Sequence, residues 1–221
     1  MATRRPKIAS PTIDDLHLID LTDIDPETVN AEQDHEGCRY TQPDWSGRDL
    51  SGAVFSECEF TQLEAHDIQL RGSRFTESRI VRANAPVFKA ARTVWRDVHV
   101  NSSRLGAVEM YDADWQSVRF TGSKMSFVNL RSATLRDVEF AHCFIEELDL
   151  SGAEAERIAF HDCTVQSIQL DHARLRNVDL RGLDLNTISG IESMRGTVIS
   201  FTQAMDLTNV FAEHLGVTIA D

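Results

Sequence analysis

A chain of 221 residues with 42% apolar side chains can bury one substantial core, or one core with appendages. Its formal charge of −13, from 22 basic against 35 acidic residues, argues against a surface that grips nucleic-acid phosphates, which would need Lys and Arg. That balance suits a soluble protein, or one that presents negative charge to a basic partner.

Arg4, Arg5 and Lys7 have no apolar run behind them, so no signal peptide is expected and the cytoplasm is the expected location. No stretch approaches the roughly 18 apolar residues of a membrane helix, and no membrane partner is expected. Residues 1–37 carry nine acidic and three basic side chains and read as an acidic N-terminal cap or tail. Within them, the apolar residues of 13–24 could pack on the first coil of a repeat that begins at residue 38, or the segment could remain a partly disordered tail.

From residue 38 to 189 the chain repeats. Every fifth residue from Tyr40 to Leu185, thirty in all, is apolar, where composition alone predicts about thirteen. Two residues before each centre, from Ala53 to Leu183, every residue is small or aliphatic except Phe88. Residues two apart share one face of an extended chain, so each repeat buries a pair and then turns. A helix would need apolar steps of three and four, and one continuous strand would need unbroken alternation. A coil that corners every five residues and stacks on itself satisfies the pattern, because a single repeat cannot bury its own pair.

Segments 48–52 (RDLSG), 128–132 (VNLRS), 148–152 (LDLSG), 173–177 (ARLRN) and 178–182 (VDLRG) resemble the consensus of pentapeptide-repeat proteins. The resemblance covers about two thirds of the chain and implies an all-β fold, a right-handed quadrilateral parallel β-helix with twenty residues per coil. About seven coils, stacked at about 4.8 Å, would make a rod about 35 Å long. The columns are alike at that period: Phe60, Ile80, Val100, Phe120, Phe140 and Phe160 form one, with Val98, Val118, Val138 and Ile158 two residues earlier in another. The phase never slips between 38 and 185, so the chain resembles the loop-free members of the family. Pro43 and Arg48 break the inward rule and mark where the N-terminal segment meets the rod.

Beyond the repeat, residues 190–221 read as a capping or dimerisation module. Ser200 is positioned as a helix N-cap, Ala204, Leu207, Phe211 and Leu215 come next at helical spacing, and Gly216 stops the helix. Residues 217–219 (VTI) read as a short strand. A terminal helix and strand resemble the module through which gyrase-protecting family members dimerise, which implies a homodimer held by Leu207, Val210, Phe211 and Leu215. Capping within one chain is the alternative.

No nucleophile elbow, phosphate loop or dinucleotide motif is present, and no enzyme activity or cofactor is expected. Cys38, Cys58, Cys143 and Cys163 all take the small inward position one coil apart in pairs, which suits a buried ladder better than a disulfide or a metal pair. His142 and His161 share an outer face near Asp162 without a third ligand or a cleft. The face centred on Trp45, Ala65, Ala85, Leu105, Met125, Ile145, Val165 and Leu185 is the one that stands out. Asp44, Glu64, Asp67, Glu146, Glu147 and Asp184 face only Arg104 and Lys124 there, and Phe127 and Phe144 point outward on it. The resemblance implies a DNA mimic that binds DNA gyrase and protects it from quinolones or toxins. A general protein-interaction scaffold with another partner is the alternative, and direct nucleic-acid binding is not expected.

Overall fold

A computed structural model of the protein describes residues 8–220. The repeat folds as a parallel β-helix whose coils pair twenty residues apart. Trp95 faces Trp115 and then Leu135, while Val98 faces Val118 and Val138. One sheet climbs through ten rungs, from Thr22–Asp23 to Thr197–Val198, with a short branch in which Asp34–Glu36 pairs Val54–Ser56. A second, seven-stranded sheet runs from Ile68–Gln69 to Leu183–Ser189. The solenoid makes about nine turns rather than seven. The extra turns come from the flanks, where Thr22 pairs Cys38 below the first repeat and Thr197 pairs Val178 above the last.

The inward residues stack by kind. Tyr40 lies flat on Phe60 at 5.3 Å, Trp95 on Trp115 at 5.3 Å, and Phe120, Phe140 and Phe160 continue at 5.2 Å each. Parallel strands about 4.8 Å apart hold rings on neighbouring rungs in this offset stack wherever aromatics follow one another in these columns. The small inward position makes a second ladder, in which the side chain of one coil accepts the amide of the coil before it. Ala83 N–H donates to Ser103 Oγ (3.0 Å), Ser103 N–H to Ser123 Oγ (3.1 Å) and Cys143 N–H to Cys163 Sγ (3.4 Å). All four cysteines are buried and free, and Cys163 is a rung of this kind. Serine and cysteine recur there because they are small enough for the core and satisfy an amide that would otherwise be stranded.

The corners are set by backbone conformation. At one of them Glu57, Glu77, Asp97, Ser117, Asp137, Arg157 and Asn177 all adopt positive φ. From the third coil on, the corner within the strands of the seven-stranded sheet avoids that region, and Val87 and Phe127 occupy that corner. A β-branched or bulky side chain pays heavily for left-handed backbone, so it sits where none is required. Gly106 and Gly182 answer a different need. A Cβ at Gly106 would fall 2.1 Å from the Pro86 carbonyl oxygen, and one at Gly182 1.9 Å from that of Phe160.

Both ends are closed. At the first coil the 3-10 turn Pro26–Thr28 is tied down from below. Arg48 donates to the carbonyls of Pro26 (2.9 Å), Glu27 and Val29, and Trp45 Nε1 to Pro26 O (3.1 Å). The sequence break at Arg48 is therefore a plug. At the far end, α1 (Phe201–Asp206) starts on a capping box between Ser200 and Gln203. The Gln203 amide also donates to the carbonyls of Leu180 (2.7 Å) and Leu183 (2.8 Å) on the last coil. The expected single helix is two, α1 and α2 (Thr208–His214), broken at Leu207, which is buried against the rod end. The expected strand at 217–219 does not form, because a strand needs a partner edge and none reaches it among the described residues. No helix among the described residues is long and apolar enough to cross a membrane.

Candidate protein-interaction surface

Sheet register decides which outward residues meet. On the acidic face, one column reads Asp44, Glu64, Asn84, Arg104, Lys124, Phe144, Thr164 and Asp184 from the first coil to the last. Its acids therefore occupy the two ends and its bases the middle. The next column carries His66, Pro86, Gly106, Ser126 and Glu146, and the corner column Asp67, Val87, Ala107, Phe127 and Glu147. Glu146 and Glu147 lie four coils from Glu64 and Asp67, about 19 Å along the axis. The six acids thus form two clusters, at Asp44/Glu64/Asp67 and at Glu146/Glu147 with Asp184 beyond.

Several of these acids are already engaged. Asp67 pairs with Lys89 at 2.5 Å, and the bond from that ammonium holds its carboxyl below the usual range. Glu64 accepts from the Asn84 amide at 2.7 Å. Asp44 is held low by the Ser46 hydroxyl and amide, which fold its carboxylate over its own turn. Glu146 and Asp184 are exposed and have no ion-pair partner among the described residues.

Phe127 and Phe144 are each half-buried and do not touch as rings. Phe144 stands beside Lys124 and Phe127 beside Glu147, three positions apart along the paired strands, about 10 Å. Phe144 instead walls a shallow groove of about 460 Å³ with Pro86, Gly106, Ser126, Arg104 and Glu146. Gly106 opens that groove by presenting no side chain.

On the other faces many charges form ion pairs between coils. Arg174 pairs Glu154 at 2.6 Å, Arg176 pairs Glu156 at 2.6 Å, Arg157 forks onto Asp137 at 2.6 and 2.7 Å, and Arg131 reaches the buried Asp149 at 2.5 Å. Stacked at about 4.8 Å, opposite charges on neighbouring rungs satisfy one another and leave little net field. His142 lies 3.7 Å from Asp162, and His161 lies 3.8 Å from Glu139, so the two histidines serve separate pairs. No group of three or more potential ligands among the described residues could hold a metal ion.

The residues expected to hold two copies together divide. Leu207 is buried, and Val210 and Phe211 pack on the core of the same chain. Leu215 stays exposed, and with it Phe201, Met205, Val217 and Ile219, which helical spacing did not single out.

The family description "Pentapeptide repeat region" matches residues 93–170, and "Pentapeptide repeats (8 copies)" matches residues 46–76, both inside the solenoid. Residues 46–76 and 93–170 are thus pentapeptide repeats. No curated protein sequence matches it. Among solved structures it is similar to full-length QnrB1, a plasmid-mediated fluoroquinolone resistance protein. That likeness has 18% identity and a TM-score of 0.40, over 88% of this chain and 95% of that one. It is also similar to HetL from the cyanobacterium Nostoc, a pentapeptide repeat protein involved in heterocyst differentiation regulation. There the identity is 17% and the TM-score 0.25, over 76% of this chain and 90% of that one.

Proposed function

We propose that this pentapeptide-repeat protein works without catalysis, as a rigid cytoplasmic rod that docks on a basic protein surface, and that DNA gyrase is its specific target. The supporting observation is the charge of one face. Six acids and two bases face outward there, Asp67 being paired with Lys89, while many charges on the remaining faces pair between coils. An acidic face on a narrow rod can compete with duplex DNA for a basic saddle. The mimic is partial, because Arg104 and Lys124 interrupt the acids at mid-length. Two copies joined at the C-terminal module would double the rod, and the exposed Phe201, Met205, Leu215, Val217 and Ile219 favour such contact. A second reading keeps the protein partner but not gyrase. It rests on the groove walled by Phe144, where an apolar anchor of another protein would fit.

A gyrase supercoiling assay, with and without ciprofloxacin and at low and moderate salt, tests the first reading. Inhibition or protection should fade as salt screens the contact. It should fall when Glu64, Asp67, Glu146 and Glu147 become Lys and rise when Arg104 and Lys124 become Glu. No effect at micromolar protein removes gyrase. The groove reading then predicts that Phe144→Ser abolishes pull-down of a partner with little dependence on salt.

A further inference from the structure

On one side of the rod, four outward residues that the repeat pattern leaves to solvent are buried: His99, Ser117, Asp137 and Ala159. What lies along them is the chain's own N-terminal segment, residues 8–21, extended along the rod axis against the order of the coils. Ala9 N–H donates to Asn177 Oδ1 (3.3 Å) and Thr12 N–H to Asp137 Oδ1 (3.0 Å). Arg119 donates to Ile13 O (3.3 Å) and to Asp15 Oδ1 (3.1 Å), and Arg79 donates to Leu16 O (2.9 Å). His99 lies against the backbone of Asp14. Beyond the segment, Thr22 and Ile24 enter the first rung through Gly37 O and Arg39 O.

The spacing is systematic. Arg79 and Arg119 stand two coils apart, about 9.6 Å, and the carbonyls they grip belong to Leu16 and Ile13, three residues of extended chain or about 10 Å. Along this track, two arginines two coils apart thus grip two carbonyls of the extended segment three residues apart. Residues 8–38 contain no Lys or Arg. The column beneath holds Arg39, Arg79 and Arg119, which pair with Glu59 and Glu139 of the same column, and Arg119 also pairs with Asp15 of the segment. Pro11, Ile13, Leu16, Leu18 and Leu21 are half-buried on the track. The segment is lightly held. Among the described residues, the N–H groups of 8–21 that find an acceptor are those of Ala9 and Thr12.

We propose that this track is a docking groove for an extended, acidic peptide segment of a partner protein, and that residues 8–21 occupy it as a built-in competitor. The proposal concerns a different side of the rod from the acidic face and stands whether or not gyrase is the target. The full-length protein and its Ile13→Asp/Leu16→Asp variant, which loosens the segment, would be titrated into a fluorescein-labelled synthetic peptide of residues 8–24. The peptide should bind the variant at least tenfold more tightly than the intact protein. Adding Arg79→Glu and Arg119→Glu should abolish binding, and a scrambled peptide of the same composition should fail. Equal affinity for intact protein and variant, binding that survives the arginine reversals, or equal binding of the scrambled peptide would each overturn it. Should the variant lose its cooperative melt, hydrogen exchange on the intact protein decides. The amides of Ala9 and Thr12 must exchange far faster than those of rungs 94–101 and 114–121, and matched protection rules out a displaceable segment. A dimer of the intact protein that disappears in the Ile13→Asp/Leu16→Asp variant would instead make a second copy of this chain the occupant, and refute the partner peptide.

Discussion

Replacing Phe140 with alanine removes a buried ring stacked at 5.2 Å on both Phe120 and Phe160. Deleting a buried phenylalanine side chain costs about 3–5 kcal/mol. Two lost ring pairs add about 0.5–1.5 kcal/mol each, so about 6 kcal/mol is expected in total. Phe127, at a different phase of the repeat, is half-buried at an outward corner, and its truncation should cost about 1 kcal/mol. The comparison holds residue type constant and varies only position within the five-residue unit. Guanidinium unfolding monitored by circular dichroism gives the two midpoints. A stacked-repeat rod need not unfold in one step, so exchange of the amides in 134–141 and 154–161 would localise the loss to the rungs beside the cavity. Equal losses for Phe127→Ala and Phe140→Ala would refute the inward-outward phase on which the whole fold rests.

Gly182→Ala should destabilise by about 3 kcal/mol, since its Cβ would sit 1.9 Å from backbone oxygen that cannot rotate away; Gly72→Ala, with open space at its Cβ position, is the control for backbone strain, and the two thermal melts are compared. Burial pushes the Cys58 thiol up to about 12, so a disulfide-exchange reagent should label it only on unfolding. Cys143→Ser should change stability by about 1 kcal/mol or less, because Ser103 and Ser123 already fill the same rung position; a large drop in the melting temperature would contradict the ladder. Burial, then Arg119 and Arg79, hold His99 below its ordinary value against the pull of Asp15 and Asp14. The unfolded chain therefore takes up this proton first, and stability falls as pH drops below about 6.5 toward the folded value. His35, lowered by burial against Asp34, adds the same sign, so a His35→Gln/His99→Gln variant should lose less stability between pH 7.5 and 5 than the parent protein.

In the solenoid, local pattern and global fold coincide. The period of five and the column likeness at twenty are both consequences of stacking, so a one-dimensional reading recovered the coil, the inward residues and the cysteine ladder. Column membership was legible too, because residues twenty apart must be neighbours in a coil that never slips. Exposure and pairing within those columns were not. Asp67 and Glu64 read as free acids until Lys89 and Asn84 were placed beside them. Phe127 and Phe144 read as one patch until register separated them along the strands. The apolar Ile13, Leu16, Leu18 and Leu21 announced a segment that needs an apolar surface, but nothing local pointed to the side of the rod at Arg79 and Arg119.

What the sequence determined by itself is the repeat: its period, its direction inward or outward, and hence the parallel β-helix, because each five-residue unit can bury its pair in only one kind of stack. The tertiary structure alone decided how the segments outside that period are placed. It sent residues 8–21 along the side of the rod instead of onto its end, counted the flanks as further turns, and folded Leu207 inward while leaving Phe201 exposed. A non-repeating segment carries no neighbour rule in its sequence. Its position is a choice among surfaces that exist only once the coils have stacked.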